Sequence, residues 1–200
     1  AGVSKFILFG VPATKATHAF DFDFTAGQIA AIKDKFGDQV WLAVDVCLCS
    51  ATAHGHCGIL NDMGDHVLNE ATVEELARAA LTYAKAGADC VAPSDMMDGR
   101  VAAIRAALDN NGCEQTVLMS YAAKFHSRLY GPFRAAADSA PRGISRLTDR
   151  ASYQIDPARP GDALASAQRD AAEGADILMV KPGLPYLDVL ARLSDAIPTH

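Results

Sequence analysis

Short apolar runs alternate with amphipathic segments along the whole chain, and this alternation constrains the fold more than any other feature. Phe6-Ile-Leu-Phe9, Trp41-Leu-Ala-Val44, Cys90-Val-Ala92, Val117-Leu-Met119 and Ile177-Leu-Met-Val180 are bounded by turn residues and predict buried strands of a parallel sheet. Helical patterns lie between them. Val73, Leu76, Ala77, Ala80, Leu81 and Ala84 mark one helix face. Thr72-Val-Glu-Glu75 predicts a capping box at the start of that helix, and Gly87 a left-handed stop at its end. Val101–Leu108 runs into Asn110-Asn-Gly112, Ala163–Glu173 ends at Gly174, and Tyr186–Leu193 is a further amphipathic stretch.

An internal echo reinforces the pattern. Ala84-Lys-Ala-Gly-Ala-Asp-Cys-Val-Ala-Pro93 and Ala171-Ala-Glu-Gly-Ala-Asp-Ile-Leu-Met-Val-Lys-Pro182 share a helix end, a Gly-Ala-Asp turn and an apolar strand. Repeated βα units build either a doubly wound sheet or a (β/α)8 TIM barrel. The dinucleotide glycine fingerprint is missing, and the chemically interesting residues follow the strands at their carboxyl ends, where a barrel forms its sites. The expected fold is therefore an α/β barrel, with residues 1–200 as one partial catalytic domain. Only about five of the eight βα units are found, against roughly 250 residues for a closed barrel. The chain opens without Met and stops at Ile197-Pro-Thr-His200, where another strand is due, so an internal fragment is expected.

Composition removes several functions. A formal charge of −6 gives no basic face for nucleic acid. The apolar runs are too short to cross a bilayer, and no signal peptide precedes the first of them. Three of the five cysteines crowd into eleven residues, a poor disulfide framework and a better thiolate cluster in a reducing compartment. A cytoplasmic protein is expected, with neither membrane nor nucleic acid as a partner.

That cluster, Cys47-x-Cys49-x7-Cys57, is suited to Zn²⁺: thiolates are soft ligands, and three of them leave a fourth position open. Strand spacing is expected to put the Cys47 and Cys49 sulfurs on one side, with the Gly55 loop returning Cys57 to them. The alternative is two core cysteines and one incidental loop cysteine. His54 and His56 are either a further ligand or solvated loop residues; Cys90 and Cys113 read as structural.

Lys124 and Lys181 each follow an apolar run. Desolvation or a neighbouring cation lowers a lysine's pKa and frees its lone pair for a carbonyl carbon. Sharing one barrel mouth would supply both effects; the alternative is a pair of ordinary surface lysines. Arg128, Arg134, Arg142, Arg146 and Arg150 fall in a Gly/Pro/Ser-rich stretch with little periodicity, which suggests an active-site lid across residues 121–160. Lid arginines can clamp a carboxylate, whereas Arg128, Arg142 and Arg146 are expected to be solvated loop residues with salt bridges. Asp45 shares parity with Cys47 and Cys49, and Ser94-Asp-Met-Met-Asp-Gly-Arg100 follows another strand. Asp98 and Arg100 are expected to cap the next helix.

Together these motifs resemble the porphobilinogen synthase (5-aminolevulinate dehydratase) family over nearly the whole chain. The resemblance is carried by Asp45-Val-Cys-Leu-Cys49 with His54-Gly-His-Cys-Gly58, Ala92–Val101, Met119-Ser-Tyr-x-Ala-Lys124 with Tyr130-Gly-Pro-Phe-Arg134, and Met179-Val-Lys-Pro-x-Leu-Pro-Tyr-Leu-Asp188. It implies a TIM-barrel lyase that condenses two 5-aminolevulinate molecules to porphobilinogen in tetrapyrrole (heme) synthesis. Lys181 would form the Schiff base on the propionate side and Lys124 that on the acetate side. Cys47, Cys49 and Cys57 would hold zinc, and Asp45 and Ser94 would assist proton movement. Tyr130, Phe133, Arg134, Arg150 and Gln154 would bind substrate from the lid. The resemblance also implies an octamer assembled through an N-terminal arm. Ala122 stands where the family has Ser. Ser166 stands where many bacterial members place a Glu for allosteric magnesium, so no Mg²⁺ is expected. Two further readings stay open: a class I aldolase-like barrel with one working lysine, and a metal-binding fragment without turnover.

Overall fold

Five parallel strands pair in the order of the chain, β1-β2-β3-β4-β5, in a computed structural model that describes residues 2–143 and 145–198. They are β1 (Lys5–Leu8), β2 (Trp41–Val46), β3 (Cys90–Pro93), β4 (Val117–Lys124) and β5 (Ile177–Lys181). The helices are α1 (Asp23–Phe36), α2 (Asn69–Lys85), α3 (Arg100–Asp109), α4 (Gly131–Ala136), α5 (Pro160–Ala172) and α6 (Leu187–Ala196). A doubly wound sheet reverses its strand order at a switch point. This sheet never reverses, so it is a half-barrel, and all five sequence-predicted strands are present.

The Gly-Ala-Asp echo has a structural purpose. Asp89 accepts the Leu42 N–H on its carboxylate at 2.7 Å and donates its own N–H to Leu42 O at 3.0 Å. Asp176 repeats this on Leu118, with 2.7 Å and 2.8 Å. Each Asp thus clasps the neighbouring strand at its entry. Gly87 and Gly174, at φ of +103° and +101°, make the left-handed turns that deliver the two aspartates.

Side-chain parity divides the sheet. Leu42, Val44, Val46, Val91 and Leu118 pack outward with Leu76, Ile104 and Leu108 of the helices, whereas Ala43, Cys90, Ala92, Met119 and Tyr121 cluster on the inner face. β1 and β5 are the two sheet edges, and Phe6 of β1 and Ile177 of β5 stand 46% and 38% exposed. Among the described residues no helix is long and apolar enough to cross a membrane.

Several local expectations are corrected. α2 starts at Asn69, so Thr72 lies inside the helix; its hydroxyl donates to Leu68 O at 2.6 Å and accepts the Ile59 N–H at 3.0 Å. Glu75 pairs with Arg78 rather than reaching back to a cap. α1 has no counterpart in the sequence reading because it buries only Thr25 and Ile29, too few residues for a visible stripe. β4 runs to Lys124, well past its apolar run. Residues 121–160 open on the last four residues of β4, hold a 3-10 turn at Arg128–Tyr130 and the short helix α4, and end on the first residue of α5; the other described residues between are irregular backbone docked on the rest of the chain. Of the expected strand approach at the end, Thr199 and His200 lie outside the described residues.

Candidate active site

The carboxyl ends of the strands converge on one pocket bordered by Asp45, Cys49, Ser94, Lys124, Lys181 and Arg150. Phe9, Tyr130 and Phe133 close its apolar side. The free space among them is about 10 Å³, room for about one water.

Lys124 and Lys181 are direct Cα partners in the β4–β5 pairing. Their ammonium nitrogens lie 5.4 Å and 4.9 Å from the ring centre of Tyr121. Lys181 is also 5.0 Å from the Phe133 ring. Burial, then the charge of Lys124, push the Lys181 pKa below the ordinary lysine value. Lys124 is 6% exposed and donates to the backbone carbonyl of Ser94. Asp45 is half-buried, with its Oδ1 shielded from solvent and free of any hydrogen-bond partner. Burial raises its pKa to about 6, with Lys124, the Ser94 hydroxyl and Lys181 pulling the other way. An amine of depressed basicity beside a carboxyl that can hold a proton is equipped for carbonyl addition and proton transfer.

The three sulfurs of Cys47, Cys49 and Cys57 lie within 4.8 Å of one another. The expected strand geometry is corrected: β2 stops at Val46, and Cys49 enters a turn whose N–H donates to Cys47 Sγ at 3.5 Å. The turn, rather than strand parity, brings these sulfurs together. Cys57 is held well below the usual thiol range by hydrogen bonds from Cys47 and Cys49, with help from Arg150 and Lys124. Cys47 is pushed well above that range by its hydrogen bonds with Cys49 and Cys57, and the three sulfurs together offer soft donors that fit a thiophilic divalent cation.

His54 and His56 are buried, not solvated. His56 Nε2 faces Leu147 O at 3.1 Å, so this nitrogen carries the proton; Nδ1 accepts from the Tyr153 hydroxyl at 2.9 Å. The Tyr153 oxygen in turn accepts the Cys57 N–H at 3.4 Å. Burial lowers the His54 pKa to about 4, assisted by His56. Of the other cysteines, Cys90 is buried in the inner cluster and Cys113 packs at the edge of the helical layer.

Arg150 is buried and donates to Gly55 O at 2.9 Å and Ser139 O at 2.6 Å, while its Nε has no partner. Arg134 stands 5.8 Å from the Tyr130 ring with Nε and Nη2 unpartnered, and the Tyr130 hydroxyl donates to Lys181 O at 2.9 Å. Gln154 is not among the residues bordering the lysine pocket. It borders a groove of about 800 Å³ outside the half-barrel, which Ser166 also lines, and its amide is unpartnered. Arg128, Arg142 and Arg146 are exposed, Arg142 pairing with Asp138. Asp98 and Arg100 do not cap α3, which opens on Gly99 without a side-chain cap. Asp98 pairs with Arg169, and Arg100 is fully buried. Phe9, Tyr121 and Tyr153 went unread as site residues. Phe9 ends an apolar run and Tyr121 sits in the Ser-Tyr-x-Ala-Lys motif, but nothing local marks Tyr153.

Fold and pocket define a class: a parallel βα half-barrel with two amines and a thiol cluster at its carboxyl rim. The profile described as "Delta-aminolevulinic acid dehydratase" matches residues 1–200, and the chain belongs to that family. The Delta-aminolevulinic acid dehydratase of Methanothermobacter thermautotrophicus is 48% identical over 196 residues, covering 97% of this chain and 58% of its own length. That of Bacillus subtilis is 47% identical over 193 residues, covering 94% and 57%. The crystal structure of the Toxoplasma gondii ME49 enzyme in complex with the reaction product porphobilinogen superposes with a TM-score of 0.82. It shares 48% identity, covering 86% of this chain and 48% of the other. The chain thus spans less than two thirds of the length of these relatives.

Proposed function

We propose that the natural protein carrying this sequence is a porphobilinogen synthase, joining two 5-aminolevulinate molecules to porphobilinogen with loss of water, in tetrapyrrole synthesis. The observation that carries the reading is the cross-strand pairing of Lys124 and Lys181 in one pocket beside the cysteine cluster. Each lysine attacks a substrate ketone with its neutral amine, and water leaves as the Schiff base forms. An iminium carbon is a stronger electrophile than the ketone and acidifies the adjacent C–H. Lys181 takes the propionate-side substrate and reacts first; Lys124, which leads into residues 121–160, takes the acetate-side one. A single-lysine aldolase chemistry leaves the paired second amine without a task.

Asp45 holds and moves protons at its free Oδ1, with Ser94 positioned by its contact to Lys124. Arg134 and Arg150, with unpartnered nitrogens, are the donors for a substrate carboxylate, and Tyr130 and Phe133 exclude water. Gln154 joins them only if its amide turns in from the outer groove. Cys47, Cys49 and Cys57 would hold a Zn²⁺ ion, which would supply Lewis-acid polarisation when bound. No magnesium is assigned to Ser166. The natural protein is further read as a cytoplasmic octamer.

The test is porphobilinogen formation by the natural protein, with borohydride reduction in the presence of 5-aminolevulinate and peptide mass mapping. Label on both lysines is expected. Label on neither rejects the Schiff-base mechanism, and Lys124 labelled without Lys181 reverses the order.

A further inference from the structure

We propose that Arg100 is a positioning residue for Lys124, pinning the β4 bulge on one side and the Ser94–Asp98 turn on the other. The inference rests on the reading of Lys124 as a Schiff-base amine.

The bulge comes first. β4 and β5 pair Met119 with Ile177 and Ser120 with Leu178, then Ala123 with Val180 and Lys124 with Lys181. One extra residue is therefore accommodated in β4 at Tyr121–Ala122, and it sets Lys124 opposite Lys181. A bulge disrupts the ladder and leaves backbone groups there in need of partners. The Arg100 guanidinium stands at this point. Its Nη2 donates to Tyr121 O at 3.5 Å, to Ser120 Oγ at 2.9 Å and to Asp170 Oδ2 at 2.9 Å. The Ser120 hydroxyl donates to the same Asp170 oxygen at 2.6 Å, so α5 is drawn into the clamp.

The turn comes second. Lys124 donates to the carbonyl of Ser94, and Asp95 follows directly. Met96 adopts φ +76°, a left-handed conformation that a side chain bearing a Cβ disfavours, so the turn needs outside support. Asp95 Oδ2 accepts the Met97 N–H at 2.7 Å, Arg100 Nη1 donates to Met97 O at 3.1 Å, and Arg100 Nε lies 3.7 Å from Asp95 Oδ1. One guanidinium therefore holds both the strand from which Lys124 projects and the turn whose carbonyl receives it.

Stability alone is a weak reason for this arrangement. Arg100, Asp95 and Asp170 are all 0% exposed, and a buried ion cluster is often no more stabilising than apolar residues of equal volume. An apolar replacement would fill the space without fixing the bulge carbonyl or the turn. Directional hydrogen bonds to both are what a planar fork adds.

The experiment compares Arg100→Gln and the milder Ser120→Ala in the natural protein. Borohydride trapping with 5-aminolevulinate is followed separately at Lys124 and Lys181, alongside the thermal midpoint. Arg100→Gln should slow Lys124 labelling about ten- to a hundredfold, the scale of a small misplacement of a reacting group, with Lys181 labelling unchanged. Ser120→Ala should give a smaller loss with the same selectivity. If Arg100→Gln does not fold, the selectivity of Ser120→Ala decides alone. Equal loss at both lysines, tracking the thermal midpoint, or unaltered Lys124 labelling would overturn the positioning role. No label on either lysine of the unsubstituted protein would overturn the Schiff-base reading and the proposal with it.

Discussion

Lys124 and Lys181 face each other as Cα partners across β4 and β5 and flank the ring of Tyr121. The charge of Lys124 disfavours that of Lys181. Lys181, whose pKa is lowered by burial and then by Lys124, is held closer to its neutral form.

Lys124→Met should therefore raise the Lys181 pKa. The neutral amine is the nucleophile, so at a fixed neutral pH less of Lys181 would be reactive. The pH of half-maximal labelling by levulinate and borohydride should move upward, with about a tenfold loss of rate below it for each pKa unit gained. An unmoved pH profile would show that burial alone depresses Lys181.

Cys47→Ser, Cys49→Ser and Cys57→Ser combined should abolish metal binding. Protein purified under reducing conditions should carry about one zinc per chain, lost in the triple variant. Full zinc retention would place the metal elsewhere.

Arg134→Ala and Arg150→Ala should separate two kinds of arginine. Both should raise KM, since losing a charge-assisted hydrogen bond to a carboxylate costs about 1.5–3 kcal/mol. Arg150 also holds the Gly55 and Ser139 carbonyls, so its loss should lower the thermal midpoint as well, and that of Arg134 should not. Unchanged KM in both would return them to a purely structural role.

Tyr153→Phe removes the hydroxyl that donates to His56 and accepts from Cys57 N–H. The buried His56 Nδ1 is then left unpaired, at a cost of about 1–3 kcal/mol. Urea unfolding should report that loss, and limited proteolysis should cleave residues 145–152, which carry the Leu147 carbonyl, faster. Identical proteolysis rates would mean that Tyr153 does not hold this segment in place.

The order of the strands was legible from the sequence because each apolar run is short and bounded, and helical patterns follow all of them but the first, where α1 shows no stripe; such a signal needs no long-range information. The lysines and the cysteine cluster were legible for a related reason: their residue types are chemically uncommon in those local settings. Tertiary structure alone decided how they meet. The β4 bulge sets Lys124 against Lys181, and no spacing within β4 announces one extra residue in a strand pair. The turn after Val46, not strand parity, gathers the sulfurs. Arg100 looks like a helix cap in sequence and is a fully buried clamp, because its partners Ser120 and Asp170 lie 20 and 70 residues away. Burial of the His54–His56 loop likewise depends on Tyr153 and Leu147 arriving from the far side of the chain. Periodicity and residue type are written locally; register, desolvation and the partners of a buried charge exist only once distant segments pack.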